Sequence, residues 1–323
     1  MRVFIAGASG AIGTRLVPQL VERGHEVVGT YRSPGKDELL RGLGAEPVAL
    51  DLLDREAVLK AVRAARPDAV VHEATALANQ TFSRNFDRTF AATNRLRGEG
   101  TDALLSAAWD VGVRRVVAQS FASYRYARDG GPVKTEDDPL DPDPPASMRN
   151  GFAALRHLEE AVASVNGIVL RYGGFYGDPD DGMLDLVRKG RFPIVGEGGG
   201  MTSFVHLDDA ASATALAIEG AAPGIYNVCD DEPAPAREWL PYMAEMLRAR
   251  PPRRIPAFVA RILAGGAAVM IATEARGASN AKARRELGWE PRYPSWRQGF
   301  PAVYGTPARD AAPVATARLN PSS

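Results

Sequence analysis

Cysteine is almost missing from this 323-residue sequence: Cys229 stands alone. No internal disulfide can form, no four-ligand thiolate site can be built, and nothing argues for an oxidising compartment. Histidine is scarce as well, four scattered residues without ligand spacing, so no metal is expected. A surplus of either charge is also lacking, because 39 Lys plus Arg balance 39 Asp plus Glu. Attraction to a polyanion or an acidic membrane then loses its simplest basis, and neither nucleic acid nor membrane is an expected partner. Long hydrophobic runs are short too: the longest, Ile262 to Thr273, is 12 residues where a bilayer needs roughly 20. The apolar stretch before Gly7 is too brief for a signal peptide, and a cytoplasmic location is expected.

What is present is an alternation. Arg2 to Ala6, His25 to Thr30, Glu46 to Leu50, Ala69 to His72, Arg115 to Gln119 and Gly167 to Tyr172 read as strands too apolar to have a wet face. Between them Ala11 to Arg23, Leu39 to Leu43, Arg55 to Ala65, Gly100 to Asp110 and Phe152 to Val165 read as helices. That rhythm predicts an α/β fold, a doubly wound parallel Rossmann sheet covered on both sides. Asp129 to Pro145, dense in Pro, Asp and Gly, is expected to be a surface loop. The nucleotide domain is expected over 1–176 and a smaller C-terminal substrate lobe over 177–305, with about 202–230 returning to the first. The Ala-, Pro- and Ser-rich 306–323 is expected to be disordered.

Gly7-Ala8-Ser9-Gly10-Ala11-Ile12-Gly13 follows the first strand and opens the first helix. A turn of this kind lets backbone approach a pyrophosphate and aims helix amides at it, so Gly7, Ser9, Gly10, Ala11, Ile12 and Gly13 are expected to hold a dinucleotide. After the second strand, NAD enzymes place a carboxylate on the adenosine ribose. Here Gly29-Thr30-Tyr31-Arg32-Ser33 offers no acid and one guanidinium. Arg32 suits a 2′-phosphate, so NADP is the expected cofactor with NAD left open. Asp51, before Leu52, is placed to accept the adenine amino group, or to cap the following helix, a task Asp54 fits better.

With these motifs stand Val70-Val71-His72-Glu73-Ala74-Thr75-Ala76, Leu170-Arg171-Tyr172-Gly173-Gly174-Phe175-Tyr176-Gly177, Phe204-Val205-His206-Leu207-Asp208-Asp209, Tyr226-Asn227-Val228 and Leu287-Gly288-Trp289-Glu290-Pro291. Together they resemble the extended short-chain dehydrogenase/reductases, the NAD(P)-dependent epimerase/dehydratase group, over about residues 1–300. The resemblance implies a nicotinamide enzyme whose cofactor is also lined by Asp51, Leu52, Ala74, Thr75 and Ala76.

The chain departs from that group where chemistry is done. The group uses a tyrosine acidified by a lysine four residues later, since a phenol of pKa about 10 is a poor base at neutral pH. The five lysines, at 36, 60, 134, 189 and 282, are preceded at that spacing by Arg32, Glu56, Gly130, Asp185 and Ala278, never by tyrosine. The expected register carries Phe152 and Arg156 with Glu160 following; Arg156 is then a candidate for the nicotinamide ribose hydroxyls. Ser120 with Tyr124 four residues later reproduces the group's Ser and Tyr, Ser123 is held in reserve, and a gapless count from Gly112-Val113 puts Phe121 at the serine. Tyr124, Tyr126, Tyr172 and Tyr176 are substitute proton donors that packing alone would also explain. His157 and His206 are further acid/base candidates. Asn94 stands six residues before Gly100 where the group has three, and its role is not carried over. The Trp239 to Leu247 and Phe258 to Ile271 stretches suit an apolar pocket wall or lobe core.

The expected function is an atypical NADP(H)-dependent oxidoreductase or epimerase/dehydratase-like enzyme on a small metabolite, with a non-standard proton donor. Non-redox dehydration, isomerisation or cyclisation, and non-catalytic dinucleotide sensing, are the alternatives. A small-molecule substrate is the expected partner, and a homodimer is left open.

Overall fold

The computed structural model describes residues 1–77, 84–178 and 182–305; the tail expected to be disordered, 306–323, lies outside the described residues. Seven apolar segments form one parallel sheet: β1 (Arg2–Ala6), β2 (Glu26–Tyr31), β3 (Glu46–Ala49), β4 (Ala69–His72), β5 (Arg115–Phe121), β6 (Ile168–Tyr172) and β7 (Gly224–Val228). Their order is β7-β6-β5-β4-β1-β2-β3, each pair parallel. The chain starts in the middle, runs to one edge and returns to build the other, so direction reverses between β1 and β4. A crevice opens there at the carboxyl ends of the strands, where ligands of such sheets bind.

Helices cover both faces because neither face can stay wet. On one side α1 (Gly13–Glu22) packs with α9 (Leu207–Gly220) over Val3, Ile5, Val71, Val117 and Leu170. On the other, α3 (Arg55–Ala65) and α6 (Thr101–Asp110) bury Phe4, Val28, Val58, Val62 and Leu104. Between β2 and β3 lies α2 (Lys36–Gly42). The approach to α6 is broken into α4 (Phe86–Thr89), α5 (Ala91–Arg95) and a π turn over Leu96–Gly100. None of these three was legible as a separate element. The α7 helix (Arg149–Ser164) begins three residues before the sequence expectation, because Asp87 accepts the amides of Asn150 (3.2 Å) and Gly151 (3.1 Å) from across the fold.

After β6, Gly174–Tyr176 pairs in parallel with Phe204–His206. Helices α8 (Gly182–Arg188) and α10 (Ala236–Met246) join Phe204, Trp296 and Phe300 in a separate apolar cluster. Trp239, Leu240 and Met243 are therefore lobe core. The next helix, α11 (Ala257–Glu274), has 18 residues and a mean hydropathy of 1.5, the one helix among the described residues long and apolar enough to cross a membrane. It is not continuous: Gly265 (φ 87°) breaks it, Ala267 and Met270 are buried, and Phe258, Ile262 and Leu263 on its first half are exposed.

Candidate active site

The glycine turn sits at the reversal point. Gly7 has φ +90°, and a Cβ there would come within 2.7 Å of the Ala74 backbone, so the turn after β1 and the loop after β4 touch where only glycine fits. Gly10 donates to the Gly7 carbonyl (3.0 Å), closing the turn, and Gly13 lets α1 settle against Ala8. Ser9 is partly open, Gly10 and Ala11 are exposed and Ile12 is buried. No side chain caps α1 and no acid stands in its first turn, so its leading amides face the crevice without a competing anion. These features fit a dinucleotide diphosphate. When bound there, the cofactor supplies hydride to, or takes it from, a carbon or heteroatom of the substrate.

Arg32, just past the end of β2, is exposed and makes no hydrogen bond or ion pair among the described residues. Asp51 accepts the Leu53 amide (3.0 Å), while Asp54 caps α3 through the Ala57 amide (3.0 Å), so capping is not the task of Asp51. Leu52 is anchored in the core. The loop after β4 is pinned twice. His72, pushed down to about 4 by burial and hence neutral, donates from Nε2 to the Leu96 carbonyl (3.2 Å) and accepts the Ala74 amide at Nδ1 (3.3 Å). The Ala76 amide donates to Thr93 Oγ1 (3.0 Å), with Thr75 between.

Beyond that loop lies a cavity of about 170 Å³ walled by Phe86, Phe90, Phe121, Phe152 and Leu155, with Asp87, Asn94, Arg97 and Tyr124 as its polar side chains. The wider depression lined by Arg66, Arg114 and Asn166 opens at the amino ends of β5 and β6, away from the crevice. The cavity face of α7 is Gly151, Phe152 and Leu155, with Met148 just ahead of the helix. Phe152 is where the register put it, but Arg156 is exposed and absent from the wall, and Glu160 is exposed while Glu159 is buried. One residue on a helix is about 100° of rotation.

Ser120 is a second correction. Its hydroxyl donates to Glu159 Oε1 (2.5 Å) and accepts from Arg125 Nη1 (2.9 Å), inside a buried ion cluster instead of on the cavity wall. The gapless count identified the wall residue, Phe121, because neighbours on a strand face opposite sides. Ser123 is buried with its hydroxyl unpartnered and also lies off the wall. Of the three candidates Tyr124 alone lines the cavity. It has φ +52°, and burial pushes its phenol up while Arg97 and Arg125 oppose this.

The other candidates are committed elsewhere. Tyr126 donates to Asn227 Oδ1 (2.6 Å), Tyr176 packs edge-on against Phe204 and Phe300, His157 pairs with Asp102 (2.8 Å) at the surface, and His206 caps α9. Tyr172 reaches Glu73 Oε1 (3.1 Å) and Thr214 (2.6 Å). No three His, Cys, Asp or Glu side chains among the described residues converge as a metal would require.

The sequence reading missed four charged residues. Glu159 accepts from Arg125 (2.6 Å) and from Arg171 (Nε, 3.0 Å; Nη2, 2.8 Å); burial alone would push it up, but the two guanidiniums hold it down to about 2. Glu73, fully buried beside Gly7, is pushed up to about 8 by burial despite Tyr172, so it is a neutral acid at neutral pH. Arg97 and Arg125 are the remaining two. Only the Arg171 motif gave a signal, since a buried guanidinium demands a carboxylate somewhere.

Comparison with known proteins agrees with this geometry. The NAD dependent epimerase/dehydratase family matches residues 3–229. A 3-diazoavenalumate denitrifying reductase of a Streptomyces species is 46% identical over 316 residues, covering 93% of this chain and 99% of that protein. A 2-alkyl-3-oxoalkanoate reductase of Stenotrophomonas maltophilia is 31% identical, covering 74% and 73%. Among solved structures, a Thermotoga maritima UDP-glucose 4-epimerase with UDP-glucose superposes with a TM-score of 0.76 at 22% identity, covering 94% of this chain and 97% of that one. A human epimerase family protein with NADPH gives 0.74 at 20% identity, covering 94% and 99%. At such identities the superpositions bear on the fold alone. A glycine turn at the sheet's reversal, a crevice fitted to a dinucleotide and a family match over residues 3–229 lead to one statement: this chain, whose sequence contains no Tyr-x-x-x-Lys, is an enzyme of the NAD dependent epimerase/dehydratase family.

Proposed function

We propose that this enzyme is an NADPH-dependent reductase that removes a diazo group from a small aromatic substrate. One observation carries the reading: at the positions where the register expects a serine and a tyrosine the cavity wall presents Phe121 and Phe152, neither of which can give a proton, and the phenol that is on the wall, Tyr124, is pushed up by burial. Hydride addition to a carbonyl builds an oxyanion and needs an acid beside it. An arenediazonium is already cationic. Hydride on its terminal nitrogen yields a neutral aryl diazene, which loses dinitrogen and, in a pocket closed to water, passes that hydrogen to the ring carbon, so no protein acid is required. The denitrifying reductase at 46% identity, whose name states such a reaction, supports the reading. The side chains hold the ring and exclude water, the conditions a hydrolysable diazonium needs. NADPH is favoured over NADH by the exposed, unpartnered Arg32 and by the lack of an acid beside it.

The test is anaerobic incubation with 3-diazoavenalumate and NADPH deuterated at C4. The expected result is enzyme-dependent NADPH oxidation with deuterium on the product ring. NADPH oxidation no faster than without enzyme would overturn the reading. A second reading, reduction of a β-keto acid with Tyr124 as donor, is favoured by that phenol's position on the wall beside Arg97. Tyr124→Phe separates the two: kcat stays within about twofold for diazo removal, and falls about 10²-fold or more if the phenol is the general acid.

A further inference from the structure

The cavity wall holds a guanidinium with no hydrogen-bonded counter-ion among the described residues. Arg97 stands on the π turn one helical turn beyond Asn94, half-buried, and among the described residues makes no hydrogen bond or ion pair; its Nε is buried without a partner. Both polar atoms of the Asn94 side chain are likewise buried and unpartnered. Burial pulls Arg97 down to about 10, so it remains a cation at neutral pH. Nearby carboxylates are committed. Glu159 serves Arg125 and Arg171, Glu136 accepts the Asn227 amide (2.6 Å), and Asp87, the one carboxylate on the wall among the described residues, accepts the Asn150 and Gly151 amides in the first turn of α7. Arg125 and Arg171 both pair with Glu159, and Nε and Nη2 of Arg125 are also unpartnered. A protein does not keep a desolvated, unpaired guanidinium and an empty-handed carboxamide side by side without a ligand to answer them.

The remaining walls are aromatic, and a volume near 170 Å³ is that of a site for a single ring. We infer that Arg97 and Asn94 bind the carboxylate of a flat aryl acid whose ring lies among Phe86, Phe90, Phe121 and Phe152. The inference rests on the proposed reductase reading and adds the substrate's second end. The carboxylate is gripped on the π turn, which leaves the reacting group toward the loop after β4. A planar guanidinium suits this task because it meets a carboxylate with two parallel hydrogen bonds.

The test needs no turnover. Calorimetric titration of the NADP⁺-loaded enzyme with cinnamate and with cinnamamide, equal in shape and differing in charge, is expected to show the acid binding at least tenfold tighter. Arg97→Gln is expected to erase that preference and Arg97→Lys to restore part of it, with NADP⁺ affinity unchanged in both. Equal binding of acid and amide to the parent enzyme, or no measurable binding of either, overturns the inference. So does a preference that survives Arg97→Gln. Because titration reads binding alone, an acid preference in an enzyme that fails the deuterium test would sink the reductase reading and leave the carboxylate site standing.

Discussion

At the scale of single residues the site is governed by burial acting on charge. Glu73 is the sharpest case: a carboxyl group raised from 4.5 to about 8 by desolvation, next to the glycine turn. A carboxyl whose pKa is raised in the fold holds its proton more tightly there than in the unfolded chain, so low pH favours the fold, and stability falls where the unfolded chain ionises while the fold stays protonated. Its contribution is therefore full below about pH 4.5 and is lost as pH rises through about 8. Thermal denaturation of Glu73→Gln against the parent is expected to show little difference near pH 5 and a more stable variant at pH 9, by on the order of a few kcal/mol. A variant less stable at both pH values would contradict this. Arg32 makes a second prediction, because a bidentate charge-assisted contact is worth roughly 1.5–3 kcal/mol. Arg32→Ala should weaken NADPH binding by about ten- to hundredfold and leave NADH binding nearly unchanged, measured by fluorescence titration.

Elements show what the sequence could and could not convey. The strands β1 to β6 were legible to within a residue or two because strands covered on both faces must be apolar throughout. The start of α7 was not, since its cap, Asp87, comes from more than sixty residues away. Nor was the side of β5 that faces the cavity. Ser120 and Phe121 are adjacent, and the pleat sends one to an ion cluster and the other to a cavity, a choice made by Glu159 on a different element. The same carboxylate joins β5, α7 and β6 by receiving Ser120, Arg125 and Arg171. Glu159→Gln leaves two guanidiniums buried without their counter-charge, and urea unfolding should show a loss of about 3–5 kcal/mol. An unchanged midpoint would remove the cluster from any account of the fold's stability.

For the whole molecule, the doubly wound parallel sheet and the glycine turn that opens it followed from chain rhythm, whereas the cavity did not. Its wall is assembled from α4, α5, the π turn, β5 and α7, which meet only in the folded chain. A ligand bound only by this assembled state must stabilise it. NADPH at 100 times its dissociation constant is expected to add about 2.7 kcal/mol. Calorimetric scans should then show a melting temperature several degrees higher, and NADPH that bound without shifting it would contradict a site confined to the native fold.

The two ring nitrogens of His72 have a mechanical consequence. One holds the loop that touches the glycine turn, the other holds the backbone just ahead of Arg97, and the Ala76 to Thr93 bond runs alongside as a second rivet. Floor and threshold are thereby riveted into one plate, so a push on either is delivered to the other without slack.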